Sequence, residues 1–566
     1  MGENSLDMKQ PVLAMYDVRG IQSFIFRTNK VKEIRGASAL VENIIQDALK
    51  DAVSKTQFEE RAVNAILEWE NSERLEFLEG DSVDVQTLFV GGGNAYVMYR
   101  TGELALSVNK LMSRYVLDKT YSLQLAVAMV NSTDSYSKDY ENVQLRMSEI
   151  KASMPYSGCL GALPIVETDD MSGFPISMED RDFLVRNHRL EAKASLSKES
   201  LLKLEAYYST YADEANTLEK KHENLITEFG KDSTIAVVHI DGNNMGMRIR
   251  DLLAGMNNYT DAVIRMRQIS YNINKSFKDS FEKVVEETEA WINDEANDVL
   301  KVKIDKKYAK YIRKIIVAGD DITFVCNGKI ALAIVEAFVR DVTKKVMHGD
   351  ASNSEDVKKY GMSVCAGIAY VHSHFPFSTA YQVAEECCDS AKTRAKEDKN
   401  KEGERIGNWV DFQICKDVQN IDLENNRNKD YMVSEDEWLL RRPYYVSVEN
   451  SDNSYSDMND QNKAYDFGGF KKIYSYFTNE SKMPSSLAKE FRNTYPLGKN
   501  AIEELVVFAK SRGKLSKEIL EPELSGEFSS LGYIVKDNVN VAAWYDALEM
   551  MDMYIDIAER GGKVNE

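Results

Sequence analysis

The chain has 566 residues, 43% of them hydrophobic and 29% charged, with a formal net charge of -20. That length accommodates several buried cores, and the composition is globular rather than disordered or fibrous. The acidic balance argues against sequence-independent nucleic-acid binding over the whole surface, while leaving room for a local basic groove. No run of about 18 apolar residues occurs, so no membrane contact is expected. The N-terminal MGENSLDMKQ lacks the basic and apolar regions of a secretory leader, and a cytoplasmic location is expected. Cys159, Cys326, Cys365, Cys387, Cys388 and Cys415 form no C-x-x-C pair, so neither a disulfide framework nor zinc is expected.

In chain order, VLAMYDV (Val12–Val18) reads as an apolar strand carrying Asp17 near its end, followed by a helical stretch from Gly20 to about Ala52. TLFV (Thr87–Val90), the glycine cluster GGGN (Gly91–Asn94) and AYVMY (Ala95–Tyr99) read as a hairpin. A helix over Leu104–Val116 and a strand over Leu123–Val130 follow. The same order returns from Ile235. IAVVHI (Ile235–Ile240) leads into Asp241, and a helical region has Ile269, Ile273, Phe277 and Phe281 at i, i+4 spacing. KIIV, AGDD and ITFVC (Lys314–Cys326) form a second hairpin, and a helix over Ile330–Val342 and a strand over Met362–Val371 complete it. Laid over each other, the halves match Asp17 with Asp241, Val90 with Val317, Gly93 with Asp320, and Asn94 with Asp321.

Each half reads β-α-β-β-α-β, the ferredoxin-like order of a palm domain. The expected fold class is α+β. Residues 1–170 are the first palm with its GGGN hairpin, 171–230 a helical connector, 231–424 the second palm with its AGDD hairpin, and 425–566 a helical C-terminal domain. Residues 445–465 read as an exposed loop.

The second copy is the chemical candidate. A hairpin that presents Asp320 and Asp321 beside Asp241 is costly, because like charges repel and Asp is a poor strand former. A hard divalent cation such as Mg2+ or Mn2+ would offset that cost. Such ions support attack of a 3′-hydroxyl on a nucleoside triphosphate, with pyrophosphate leaving. Gly319 would let a nucleotide approach the hairpin, and Lys392 on the helix Ala384–Lys396 is placed to reach triphosphate oxygens. Each signal has a plainer reading: Gly-Asp is ordinary turn chemistry, and a helix lysine is usually solvated. The basic run Lys301–Lys314 reads equally as a solvated face or a phosphate approach. His372 and His374 have no further zinc ligands in view. In the first copy the hairpin acids are replaced. Gly92, Gly93 and Asn94 could admit a base or ribose, or be structural only.

With GIQSFIF (Gly20–Phe26), GAS (Gly36–Ser38), GGGN, IDGNNMG and AGDD, residues from about 10 to 415 resemble the large subunit of type III CRISPR effector complexes. Diguanylate cyclases share the second-palm architecture more distantly. The resemblance implies a metal-dependent nucleotidyltransferase making cyclic oligoadenylates from ATP in antiviral defence, in the company of other effector subunits, guide RNA and target RNA. It assigns Asp241, Asp320 and Asp321 to catalysis and metal binding, and Gly319 and Lys392 to nucleotide binding. Gly92, Gly93 and Asn94, with Ser38 as a weaker candidate, match the acceptor-nucleotide pocket of the first palm. Ala318 and Asn243 depart from the usual hairpin glycine and second strand-end aspartate. No His-Asp dipeptide occurs and the family's zinc cysteines are missing, so single-strand DNA cleavage is not expected. The alternatives are a non-catalytic scaffold subunit and a standalone cyclase using another nucleotide.

Overall fold

A computed structural model describes the chain outside residues 1–5, 71–73, 92, 155–164, 171, 178–195, 212–233, 257, 295–299, 301–310, 374, 398–406, 417–421, 448–462, 516–527, 530–531, 537 and 558–566. The chain divides into two compact units. One is Met1–Lys221 with Asn244–Lys278 and Ile315–Asp320; the other is His222–Asn243 with Asp279–Lys314 and Asp321–Glu566.

In the first unit the apolar VLAMY segment forms most of β1 (Val12–Arg19) and is buried from Val12 to Tyr16. β1 pairs antiparallel with β3 (Asn94–Tyr99) and β4 (Gln124–Asn131), and β3 returns from β2 (Val85–Gly91). The strand order is β2-β3-β1-β4, with the short strand Ala65–Ile66 outside β2. The helical stretch expected from Gly20 to Ala52 is three helices: Ile21–Phe26, α1 (Val31–Glu42) and α2 (Ile44–Lys55). Asn43 leaves helical geometry at φ -121° and ψ 10° and separates the last two. α3 (Gly102–Thr120) links β3 to β4, and α4 (Tyr136–Ser153) follows β4.

α6 (Met245–Leu253), the start of α7 (Tyr259–Asn293) and Ile315–Asp320 complete this unit; α5 (Lys198–Thr210) is the helix of the expected connector among the described residues. Val263 and Met266 of α7 share a core with Met15, Phe89 and Tyr96. Strand β2 is irregular between Thr87 and Phe89, and buried Arg267 donates to the carbonyls of Leu88 at 2.6 Å and Thr87 at 3.1 Å. A guanidinium thus satisfies backbone acceptors that a regular ladder would have paired. Further along α7, the expected stripe of Ile269, Ile273, Phe277 and Phe281 is buried.

A second sheet, most of whose strands lie in the second unit, repeats the plan. β5 (Thr234–Gly242) lies between β7 (Asp321–Asn327) and β8 (Val364–His372), and β6 (Ile312–Ala318) leads into β7. The order β6-β7-β5-β8 is the same permutation as in the first copy, so the ferredoxin-like arrangement is present twice. β9 (Trp409–Ile414) and Tyr444–Tyr445 extend this sheet beyond β8. α8 (Ala331–Val342) links β7 to β8, and α9 (Phe377–Glu397) follows β8.

The C-terminal region corrects the purely helical expectation. Helices Phe467–Thr478, Ser485–Thr494 and Lys499–Ser511 are present, but so is a five-stranded sheet. Its order is Met432–Ser434, Glu437–Trp438, Val539–Ala542, Tyr533–Lys536 and Phe528–Ser529. Strands of two to four residues span too few side chains for a period-2 pattern to show. The region is tied to α8 through Lys471, whose ammonium lies 2.9 Å from Glu336.

Candidate functional site

Strand β5 is buried on both faces from Ile235 to Ile240, and its first exposed chemistry is Asp241, whose side chain is 27% accessible. The β5–β7 register pairs Ile240 with Ile322, and one further step sets Asp241 opposite Asp321, the first residue of β7. Like charges directly opposite on neighbouring strands are destabilising without a cation. Between β6 and β7 the chain turns through Gly319 and Asp320. Gly319 has φ 64°, a left-handed conformation that residues with a Cβ rarely adopt.

The cation facing Asp241 is Lys392. Its ammonium is hydrogen-bonded to an Asp241 carboxylate oxygen and lies 3.9 Å from Asp389. Burial works to lower the Lys392 pKa, the Asp241 carboxylate and other acidic neighbours including Asp389 work to raise it, and the net shift is upward. Lys392 reaches the strand end because α9 lies directly on β8. A Cβ on Gly367 would sit 1.9 Å from the carbonyl oxygen of Ala384 and 2.3 Å from the amide nitrogen of Cys388. Sequence reasoning did not single out Gly367.

His239 was also missed. It lies two residues before Asp241 and on the same strand face, with Nδ1 3.4 Å from Asp321 and 3.2 Å from the Thr323 hydroxyl. Burial pushes its pKa down to about 4, against the pull of Asp241, so the imidazole is neutral at pH 7 and adds no positive charge. Asn243 has the clearest assignment. Its amide nitrogen donates to the Gly407 carbonyl at 3.1 Å, its backbone N–H donates to Ser363, and the residue is buried. It therefore pins the end of β5 to neighbouring backbone.

In the first copy, Asp17 of β1 pairs in register with Asn94, and Val18 N–H donates to the Gly93 carbonyl at the hairpin tip. Gly93 has φ 80°. Gly92 lies outside the described residues, as do Lys301 through Lys310 and His374. Asp17 is engaged by Lys151 of α4 at 2.7 Å. Ser38, on α1, donates its hydroxyl to the Ile315 carbonyl of β6. His372 is exposed.

Among the described residues, no group of three His, Cys, Asp or Glu side chains is gathered as a metal cage. The donor chemistry still fits a hard divalent cation, because Mg2+ is typically held by one or two carboxylates together with substrate phosphates. Asp241 and Asp321 offer carboxylate oxygens in register, Asp320 precedes them in the turn, and Lys392 balances one of these charges.

Residues 234–402 match the family model described as Cas10/Cmr2, second palm domain. This segment is similar to the Cas10/Cmr2 second palm. The match bears out the large-subunit family read from the motifs. Compared with curated proteins, the chain finds no match. Three solved Csm1–Csm4 cassettes share the fold at TM-score 0.50, in complex with cA4, pppApApA and pppApA, at 13%, 14% and 13% identity. The alignments cover 96%, 97% and 96% of this chain and 70%, 70% and 69% of those chains. β5, the β6–β7 hairpin, β8 and the whole of α9 fall inside the matched segment, so Asp241, Asp320, Asp321 and Lys392 all belong to it. No described helix is long and apolar enough to cross a membrane.

Proposed function

We propose that this chain is the nucleotidyltransferase subunit of a type III CRISPR effector, joining ATP molecules 3′ to 5′ and closing them into cyclic oligoadenylates. The observation that carries the reading is the placement of Asp241 opposite Asp321, beside the Gly319–Asp320 turn and under Lys392, within a Cas10/Cmr2 palm. Likeness to structures solved with cA4 and with linear pppApApA supports adenylate chemistry.

In this reading Asp241, Asp320 and Asp321 hold Mg2+ or Mn2+, which when bound acidifies the attacking 3′-hydroxyl and neutralises the leaving pyrophosphate. The protein's own contribution is position and charge. The extended strands fix the spacing of the carboxylates. The Gly319 turn keeps side-chain bulk away from the nucleotide, and Lys392 supplies a point charge to triphosphate oxygens. In the first palm, Gly92, Gly93 and Asn94 accept the second nucleotide, and Ser38 acts on the hairpin strand through Ile315 rather than on the nucleotide. The partners are further effector subunits, guide RNA and target RNA.

The test is to supply purified protein with ATP and Mg2+ or Mn2+, alone and with effector subunits and target RNA, and to resolve products by mass. Cyclic oligoadenylates are expected, and Asp320→Ala with Asp321→Ala brings product to background. Activity that survives the double variant refutes the site. No turnover with any combination favours the scaffold reading, and turnover of another nucleotide without partners favours a standalone cyclase.

A further inference from the structure

The two palms hold the same ion pair in the same place. Asp17 on β1 is opposite Asn94 and engaged by Lys151; Asp241 on β5 is opposite Asp321 and engaged by Lys392. Each lysine is the sixteenth residue of the helix that follows the fourth strand, α4 or α9. Across the sheet, the equivalent neighbours also correspond, with Asp17 pairing Ala126 and Asp241 pairing Cys365. A solvated surface lysine would have no reason to recur at one helix position against one strand aspartate.

What differs is the residue across the hairpin. In the first palm it is Asn94, so one carboxylate meets one ammonium and the local charge closes. In the second palm it is Asp321, preceded by Asp320, so a second carboxylate stands across from the ion pair. His239 also stands beside Asp321 in this palm, with Nδ1 3.4 Å from the carboxylate. Its first-palm counterpart by register is Met15, an apolar side chain. A divalent ion competes with an ammonium for a carboxylate most effectively when a second carboxylate binds the same ion.

We propose that Lys392 is an exchangeable built-in cation. It holds Asp241 while nucleotide is absent, and releases it to a divalent ion when nucleotide enters, freeing its ammonium for the triphosphate. Lys151 is the fixed counterpart, which no ion displaces because Asn94 offers no charge. This rests on the nucleotidyl-transfer reading above, and it adds a sequence to that site: metal and lysine share Asp241 in turn.

The experiment uses the full chain and its Lys392→Met, Lys392→Arg, Lys151→Met and Asp241→Asn variants. Mn2+ binding is measured by electron paramagnetic resonance without nucleotide, and affinity for a non-hydrolysable ATP analogue is measured with Mn2+ present. Lys392→Met is expected to bind Mn2+ roughly threefold to tenfold more tightly, the scale of one partly exposed ion pair, while binding the analogue more weakly. Lys392→Arg stays near wild type for Mn2+, and Lys151→Met leaves Mn2+ affinity and stoichiometry unchanged. If Lys392→Met binds Mn2+ no better than wild type, the exchange is overturned while the carboxylate site stands. Tighter Mn2+ with undiminished nucleotide affinity overturns the hand-over to triphosphate. An added Mn2+ in Lys151→Met overturns the fixed role of that lysine. If wild type binds no Mn2+, or binds it as well after Asp241→Asn, the metal reading fails together with the proposal.

Discussion

Asn243 shows how a single side chain changes meaning once its surroundings are known. In the sequence it stands where a second strand-end aspartate is usual, which suggests a lost metal ligand. In the fold its amide is buried and donates to the Gly407 carbonyl, a bond that only a donor can make. A carboxylate there would place acceptor against acceptor without water to separate them. Asn243→Asp is therefore expected to lower stability by about 1–3 kcal/mol, the cost of leaving a buried polar group unsatisfied. It should add no Mn2+ site. Thermal unfolding and Mn2+ titration of the variant check both halves of the expectation, and an extra bound ion would return residue 243 to the ligand set. His239 carries the same lesson. Its Asp321 contact invites a catalytic role, yet burial keeps the imidazole neutral at pH 7, and its first-palm counterpart is Met15.

At the scale of elements, the contact between α9 and β8 decides whether Lys392 meets Asp241. Gly367 is the point of closest approach, and an added methyl would fall 1.9 Å from the backbone oxygen of Ala384. Neither partner is the free end of a flexible side chain, so the helix itself has to move. Gly367→Ala is expected to lose roughly 1–3 kcal/mol by overpacking and to weaken ATP-analogue binding by displacing Lys392. Gly246→Ala is the matched control, since Gly246 lies in α6 with open space where its Cβ would be. Differential scanning fluorimetry with analogue titration separates them, and equal behaviour of the two variants would show that α9 does not depend on this contact. Much of this architecture was legible beforehand. The strands around Asp17 and Asp241 are long apolar runs, and the repeated hairpin put Asp320 and Asp321 beside Asp241, while the register that sets Asp241 across from Asp321 came with the fold. Gly367 and Lys151 were not legible. A strand glycine looks alike whether it faces solvent or a helix backbone, and Lys151 lies on a polar helix, where an ion pair 134 residues distant in sequence leaves no periodic trace.

For the molecule as a whole, the C-terminal region was the hardest part to read, because its order comes from buried charge and very short strands rather than from amphipathic pattern. Just beyond the palm, Arg441, Arg442 and Tyr444 converge on Asp546, more than a hundred residues later. Asp546 accepts from the backbone N–H groups of Arg441 and Arg442 at 3.0 Å each, from the Arg442 guanidinium at 3.0 Å and from the Tyr444 hydroxyl at 2.8 Å. Arg442 also reaches Glu549 at 2.9 Å, and the side chains of Arg442 and Asp546 have no solvent exposure. Burial works to raise the Asp546 pKa, and the Arg442 guanidinium opposes that shift. Deleting one member of such a network leaves the others buried without compensation, at a typical cost of 3–5 kcal/mol. Asp546→Ala is accordingly expected to lower the unfolding temperature substantially. Adding Arg442→Met should recover part of the loss, because the orphaned charge is then removed as well. A double-mutant cycle by urea unfolding measures the coupling. Additive losses would mean that Asp546 stabilises the chain through its backbone acceptor bonds alone, with the guanidinium satisfied by Glu549.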